Sequence, residues 1–237
     1  MTMGWSIKIL TALLGVVLLS TLAAANPLGA EEVERIESSR YNDSITPDSI
    51  QAQAGNLTEV SLNATGVTKT WQGFYGNVTG SLILADSTGN NFYDWNVSNP
   101  SGSVFASRDD SISWTSVACL SGAEITAEET FLDRDPTDPD SVTNTFSDTN
   151  HPQLQVGTQT LDNCPTTQAY GDGGSQDSEF WQILLGSEGN TIYTTILEDA
   201  ATLGFNERPW HFQLLVGENG HTGAGSTTEY FFYVELS

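Results

Sequence analysis

The amino-acid sequence predicts an all-β protein, an antiparallel β-sandwich of the jelly-roll or immunoglobulin-like kind. Short segments rich in Val, Ile, Thr and aromatic residues recur along the chain, and Gly, Pro, Asn or Asp separates them. Helical periodicity is nearly confined to residues 123–131 and 198–203. The chain of 237 residues, less an N-terminal leader, has the length of one such domain.

The leader, residues 1–25, has the pattern of a secretory signal peptide. Lys8 supplies a positive charge, an apolar run extends from Ile9 to Leu22, and Ala23-Ala24-Ala25 places small residues before a cleavage site. The run is short for a membrane span, which needs about 20 residues. We therefore expect an extracellular or cell-surface protein whose mature chain does not insert into a membrane. An uncleaved N-terminal anchor is the alternative.

The charge of the chain limits the kinds of molecule that it can bind. It carries 30 acidic and seven basic residues, a formal net charge of −23. Binding of nucleic acid requires clustered cations, so this class of partner is not expected. Two explanations of the acidic surface stay open, solubility in very high salt and a calcium-rich exterior. The excess of acids and the scarcity of lysine resemble the composition of proteins exported by salt-loving archaea.

Residues 26–55 are polar and acidic and predict a flexible N-terminal arm. Such an arm is either disordered or pairs with a sheet edge on a neighbouring subunit. A single β-sandwich domain is predicted for residues 56–237. Its strands are expected at residues 56–65, 71–75, 78–84, 92–97, 103–107, 111–118, 180–185, 191–197, 210–217 and 230–236.

Two of the predicted turns have similar sequences. Gly89-Asn90 lies between two predicted strands in the aromatic stretch 69–93, and Gly189-Asn190 lies between two later ones. Either a duplicated half or the common preference of hairpin turns for Gly and Asn explains the similarity.

The two cysteines, Cys119 and Cys164, predict a disulfide, because an even number in an exported chain is usually paired. The acidic residues 121–163 between them predict a loop insertion whose ends the disulfide holds together. Four aspartates in this loop could supply oxygen ligands for calcium, Asp133, Asp135, Asp138 and Asp140. Their spacing lacks the glycine and terminal glutamate of an EF-hand, so a solvated acidic loop is the alternative. No other cofactor is predicted.

Five Asn-X-Ser/Thr triplets predict N-glycosylation, at Asn42, Asn56, Asn63, Asn77 and Asn96. All lie within residues 42–98, which indicates that the N-terminal part of the domain forms a face covered by N-linked glycans.

No constellation of residues predicts catalysis, and we do not expect an enzyme. The chain has no Gly-X-Ser-X-Gly motif, and His151, His211 and His221 lack the spacing of a zinc site. Aromatic residues cluster in the predicted strands at 92–95, 180–181, 210–212 and 230–233. They are expected to fill the core, and a surface on which sugars stack is the alternative.

Three segments resemble exported archaeal surface glycoproteins rich in β-structure, some of which form extracellular threads or pili. They are WQGFYGNVTG at residues 71–80, Cys164-Pro165, and EYFFYVEL at residues 229–236. The resemblance extends over residues 56–237. It implies a homopolymer in which the N-terminal strand of one subunit completes the sheet of the next, and it implies no catalytic residue.

From these observations we expect a secreted, N-glycosylated structural protein of the cell surface, a subunit of a filament or sheath that assembles by β-strand pairing. The alternative is a monomeric β-sandwich that binds a carbohydrate or another ligand and is stabilised by calcium.

Overall fold

The structure, a computed structural model, describes residues 26–41, 47–219 and 227–237. The predicted signal peptide, Asn42 and His221 lie outside these residues. In the described residues every pair of strands is antiparallel and few residues are helical, which confirms the predicted all-β fold class.

The strands of the described residues are, in chain order, β1 (Leu28–Gly29), β2 (Trp71–Gly76), β3 (Gly80–Ala85), β4 (Asn91–Val97), β5 (Gly102–Ser107), β6 (Ala118–Cys119), β7 (Leu154–Val156), β8 (Gln159–Leu161), β9 (Thr166–Gln168), β10 (Trp181–Ser187), β11 (Asn190–Ile196), β12 (Phe212–Gly217) and β13 (Phe231–Leu236). Two helices, α1 (Gly122–Phe131) and α2 (Val142–Thr145), lie between β6 and β7.

Three predicted elements differ from the structure. Residues 56–65 form no strand, and residues 198–203 form turns in place of the predicted helix. In the segment 111–118, a 3-10 turn at Trp114–Ser116 precedes the short β6, and the Trp114 ring packs on Phe105 with the centroids 5.1 Å apart. That packing holds Trp114 against the sheet without making it part of a strand.

The main sheet has the strand order β1-β13-β5-β11-β10, and β6 and β9 both pair with the remaining edge of β10. All seven residues of β10, WQILLGS, are buried. Neighbours on both edges and apolar groups on both faces explain why this strand is almost continuously apolar and does not alternate.

The main sheet has a hydrophobic core on each face. On one face the ribbon of β2 and β12 packs as a second layer, and Leu214 and Val216 of β12 meet Val104 and Tyr193. On the other face the β7–β8 hairpin places Leu154 and Val156 against Phe105, Ile183 and Leu185. Consecutive residues of a strand point to opposite faces, so β5 contributes to both cores.

The acidic region 121–163 contains more regular structure than a loop. The helix α1 begins at a capping box, in which the Ser121 hydroxyl accepts from the Glu124 N–H and the Glu124 carboxylate accepts from the Ser121 N–H. Leu132, Val142 and Phe146 are buried in the first core. The region is therefore an integral part of the domain.

The side chain of Gln182 on β10 connects the two layers of the sandwich. It is buried, and its amide donates to the Gln213 carbonyl at 2.6 Å and accepts from the Leu215 N–H at 2.8 Å. These backbone groups lie on the edge of β12 that is not paired with β2. The amide thus supplies the hydrogen bonds that a neighbouring strand would otherwise make.

Cys119 and Cys164 form the predicted disulfide, with their Cα atoms 4.8 Å apart. Cys119 ends β6, and Cys164 lies two residues before β9. Because β6 and β9 lie one after the other along the same edge of β10, the disulfide links two short strands that are distant in sequence.

Removal of the disulfide is expected to destabilise the fold strongly. The bond spans 45 residues, for which the chain-entropy model gives roughly 4 kcal/mol. A Cys119→Ala/Cys164→Ala variant should therefore lose about 2–4 kcal/mol in the free energy of unfolding, measured by urea denaturation. Adding reductant should lower the stability of the unmodified protein and leave the variant unchanged. Equal stability of the two proteins would contradict this role.

Replacement of Gln182 by leucine is expected to weaken the contact between the layers. The Gln213 carbonyl and the Leu215 N–H would both lose a buried partner, and each unpaired group costs about 1–3 kcal/mol. We expect Gln182→Leu to reduce the unfolding free energy by at least about 2 kcal/mol. Gln155→Leu, at an exposed position of β7, is the matched control and should change it by less than about 0.5 kcal/mol.

Candidate functional site

The β3–β4 hairpin is the most exposed apolar element among the described residues. Its strands pair with each other and with no other described strand. The register sets Leu82 opposite Trp95 and Leu84 opposite Tyr93. These four side chains share one face of the hairpin, here called the apolar hairpin face. They are 47–57% exposed, and the Tyr93 and Trp95 ring centroids lie 4.9 Å apart.

The opposite face of the hairpin, here called the polar face, carries three polar side chains and one apolar side chain at its paired positions. They are Ser81, Asp94, the sequon residue Asn96 and Ile83. Phe92, the unpaired residue at the bulge next to Tyr93, is 84% exposed. A glycan on Asn96 would extend from this polar face. The hairpin thus separates a candidate glycosylation site from an uncovered apolar surface.

The predicted role of the aromatic groups as core residues is correct for some of them and wrong for others. Phe180 and Trp181 are buried, as predicted. Phe92, Tyr93 and Trp95 are exposed, because no layer of the described chain covers the hairpin. An alternating strand sequence shows which residues share a face and leaves open whether the covering layer is in the same chain.

Residues 56–65 have a strand-like sequence and lie exposed without strand pairing. Leu57 is fully exposed, and Leu62 is 90% exposed. In an extended chain Val60 and Leu62 would share one face, and Glu59, Ser61 and Asn63 would share the other. The segment therefore has the pattern of a strand that lacks a partner in its own chain.

The first part of the N-terminal arm is attached to the same chain's main sheet. Leu28 and Gly29 pair with Val234 and Tyr233 of β13, and the Ala30 N–H donates to the Phe232 carbonyl at 2.9 Å. The arm and β13 border an open cleft of about 300 Å³. The edge of β13 is thus covered within the subunit.

The four described sequon asparagines are all exposed, Asn56, Asn63, Asn77 and Asn96. Asn56 and Asn63 lie in the unpaired segment, Asn77 follows β2, and Asn96 lies in β4. Each side chain is accessible to a glycan, which is the condition that N-glycosylation requires.

The four aspartates of the predicted calcium loop each have a local role. Asp133 adopts a left-handed conformation (φ 53°) just after α1 ends. The Asp135 carboxylate accepts from the Thr137 hydroxyl and N–H, which hold its pKa below the usual value. The Asp138 carboxylate lies 3.9 Å from Arg134. In the described residues no three Asp, Glu, His or Cys side chains converge as metal ligands.

Asp140 connects the same loop to the start of β2. Its carboxylate accepts from the Thr68 and Thr70 hydroxyls at 2.7 and 3.0 Å, and its carbonyl accepts from the Trp71 indole at 2.8 Å. Burial alone would raise the pKa of Asp140, but the two hydroxyl bonds outweigh it and hold the pKa below the usual value. The geometry explains this aspartate as an anchor for β2. Calcium binding by the loop stays a prediction.

A buried ion pair joins α1 to the main sheet. Arg108 donates from both terminal nitrogens to the two carboxylate oxygens of Glu128, at 2.6 and 2.5 Å. Glu128 also accepts from the Tyr193 hydroxyl at 2.6 Å and from the Thr191 hydroxyl at 2.9 Å. The guanidinium lies 4.0 Å from the centroid of the Phe131 ring.

Burial and charge act in opposite directions on the pKa of Glu128 and in the same direction on the pKa of Tyr193. Burial would raise the pKa of Glu128, but the hydrogen bonds and charge of Arg108 outweigh it and lower the pKa. Burial raises the pKa of Tyr193 well above its usual value, and the neighbouring carboxylate raises it further. Burial also raises the pKa of Tyr230 to about 12. The cluster is therefore one fixed ion pair with neutral tyrosines around it.

The sequence contains a signal for this cluster that its acidic composition obscures. Glu128 and Glu129 follow Ile125 by three and four residues and precede Leu132, which is the spacing of the apolar stripe of a helix. Carboxylates on such a stripe are directed towards the core and require partners. Arg108 is 20 residues away in sequence, and its position beside Glu128 follows only from the fold.

The two described histidines have structural partners. The His151 ring accepts from the Cys164 N–H at 2.9 Å, and a His211 ring nitrogen lies 3.0 Å from both the N and the O of Val78. The two rings hold loops in place.

Comparison with known proteins finds no match to a family model, to a curated protein or to a solved structure. No helix in the described part of the chain is long and apolar enough to cross a membrane.

Loss of the Glu128 carboxylate is expected to destabilise the domain by about 3–5 kcal/mol, because Arg108 would stay largely buried without its counter-charge. Urea unfolding of Glu128→Ala at pH 7 should show this loss of unfolding free energy. Glu59→Ala, at an exposed position, is the control and should change the unfolding free energy little. The double variant Arg108→Met/Glu128→Leu should lose less unfolding free energy than Glu128→Ala, because it leaves no buried charge.

The lowered pKa of Glu128 determines how the stability of the fold should depend on pH. The lowered pKa of Glu128 contributes stability above the pKa of an unfolded glutamate, about 4.3, and this contribution is lost as the pH falls through the folded-state value. Acid unfolding of the Glu128→Gln variant should therefore depend less steeply on pH below about 4 than that of the unmodified protein. If acid unfolding of the two proteins depended equally steeply on pH, Glu128 would not be the source of this contribution.

Proposed function

We propose that this protein is a secreted, N-glycosylated structural protein of the cell surface, a subunit of an extracellular filament or sheath assembled by β-strand pairing between subunits. The observation that carries the proposal is the apolar hairpin face, formed by Leu82, Leu84, Tyr93 and Trp95 and left uncovered by the described chain. Large exposed apolar patches on soluble proteins commonly mark contacts with other proteins, membranes or ligands.

The charge distribution favours a second copy of the chain as the partner. Copies of a chain with a net charge of −23 repel each other over most of their surface. Residues 80–97 contain only two acids, Asp86 and Asp94. Asp86 accepts hydrogen bonds from Thr88 and Asn90 within the turn, and Asp94 lies on the polar face. The apolar hairpin face is therefore a weakly charged surface on which two such chains can meet.

Residues 56–65 of another subunit fit the edge of this hairpin. A two-stranded hairpin has marginal stability and open edges, so a third strand would stabilise it. In an added strand Val60 and Leu62 would extend the apolar hairpin face. Asn63 would then lie on the same side as Asn96, with both glycan sites directed towards solvent.

The disulfide is compatible with an extracellular location, because such bonds persist in oxidising compartments. Export itself rests on the predicted signal peptide.

Tyr93 and Trp95 also favour the alternative function, a monomeric protein that binds carbohydrate. Exposed neighbouring rings at 4.9 Å form a platform on which a sugar could stack. This alternative predicts that the fluorescence of Trp95 changes when glycans are added to a monomeric protein. No change across a broad glycan panel would argue against it.

A charge placed on the apolar hairpin face is expected to prevent assembly. We expect the unmodified protein to form polymers at high salt and Leu84→Asp to remain monomeric there, as measured by light scattering and electron microscopy. Ser81→Asp is the matched control, because it adds the same charge to the same strand on the polar face and should still assemble.

Deletion of residues 56–65 should also yield monomers if this segment pairs with the hairpin of a neighbour.

Polymers formed equally by Leu84→Asp and Ser81→Asp would exclude the apolar hairpin face as the interface. A monomeric unmodified protein would favour the carbohydrate-binding alternative.

A further inference from the structure

Glu235 is a buried carboxylate without a cationic partner in the described part of the chain. It lies on β13, is 8% exposed, and both of its carboxylate oxygens accept from one donor, the Gly157 N–H, at 3.0 and 3.1 Å. The ion pairs found among the described residues involve other acids, Glu128 and Asp138. A buried carboxylate normally requires several donors or a counter-charge.

The residue that would become the mature N-terminus lies beside this carboxylate. Asn26 packs on Gly157, and a Cβ atom added to Gly157 would lie 2.6 Å from the Asn26 side-chain oxygen and 3.8 Å from its Cα. The pairing of Leu28 with Val234 places Pro27, which is buried, next in register to Glu235. Cleavage after Ala25 would create a free α-ammonium group on Asn26 at this position.

We propose that Glu235 and Gly157 form a binding site for the α-ammonium group of the chain's own processed N-terminus. The ion pair would give the Glu235 carboxylate its counter-charge. It would also stabilise the existing pairing of β1 with β13 once residues 1–25 are removed.

This inference rests on the processing step of the proposed function and deepens it. An N-terminus held by Glu235 keeps residues 28–30 on the subunit's own sheet. The strand exchanged between subunits would then be the segment 56–65, and not the first residues of the arm. In the unprocessed chain Asn26 has a peptide nitrogen without charge, so the site has no ligand.

The inference is tested on the processed chain, residues 26–237, released from a fusion partner by a protease that leaves Asn26 as the first residue. Reductive ¹³C-methylation keeps the positive charge of each amine and labels only two sites, the α-amine and Lys69, the sole lysine after Lys8. We expect the α-amine to titrate about one unit above its ordinary value of about 7.7–8.0. Glu235→Gln should restore the ordinary value, and the signal of Lys69 serves as an internal reference.

A chain with Gly-Ser added before Asn26 is the matched control, because it moves the amine two residues away. At pH 6.5 the chain that begins at Asn26 should unfold about 2–4 °C higher than the extended chain. A raised α-amine pKa stabilises the fold below its unfolded value, and the effect is lost as the pH rises through the folded value. The difference should therefore disappear by about pH 10.

Other ionisable groups on this side of β13 are the same in both chains. They are Tyr233, whose pKa burial raises, and Asp109 and Asp110 near its ring. The carboxyl group of Ser237, which directly follows β13, is also present in both chains. Facing Glu235 on β5 is Ser103, which does not titrate. Comparison of the two chains cancels the contributions of these groups.

An α-amine pKa that Glu235→Gln leaves unchanged would overturn the inference. If Glu235→Gln does not fold, equal unfolding temperatures of the two unmodified chains at pH 6.5 would overturn it instead. These measurements concern the monomer, so a chain that fails to polymerise can still show the ion pair, and a polymer can form without it.

Discussion

The Glu128 carboxylate is the constraint on which the attachment of the acidic region depends. It is buried in a protein with a large excess of acids and has the guanidinium of Arg108, one of seven basic residues in the chain, as its counter-charge. Two hydroxyl groups of β11, on Thr191 and Tyr193, complete its hydrogen bonds. A single side chain of α1 thereby joins the helix to β11 and to Arg108, the residue that follows β5, and the hydrophobic contacts of the region form around that attachment.

The position of this ion pair also fits a chain that carries so much negative charge. Exposed ion pairs are weak and are screened within a few ångströms in concentrated salt. A bidentate pair in the interior is shielded from that screening. The elements that require a fixed orientation are therefore joined by buried polar contacts, by Arg108 with Glu128 and by the amide of Gln182.

Local features of the fold could be predicted from the sequence, and strand partners could not. The positions of β10 to β13 and of α1 follow from residue patterns, because those patterns reflect burial and helical spacing. The ribbon of β2 and β12 joins strands about 140 residues apart, a pairing that local sequence does not encode. In the candidate site, the same alternation predicts the strands of the hairpin and leaves its exposure undetermined, because exposure depends on layers elsewhere.

The similar turns illustrate the same limit. At the β10–β11 turn both Glu188 and Gly189 have positive φ, as a two-residue hairpin loop requires. At the β3–β4 turn Gly89 alone has positive φ, and the Asp86 carboxylate organises a longer loop through Thr88 and Asn90. Similar residues thus form two different turns, which favours shared turn chemistry over duplication.

The disulfide also makes a closed covalent ring of the chain between Cys119 and Cys164. A protease that cuts one peptide bond inside this ring opens it without separating the two parts of the polypeptide. Both flanks of the cut remain paired with β10 through β6 and β9, and Leu132, Val142 and Leu154 remain in their cores. A protease can therefore nick this acidic region once without displacing it from the fold.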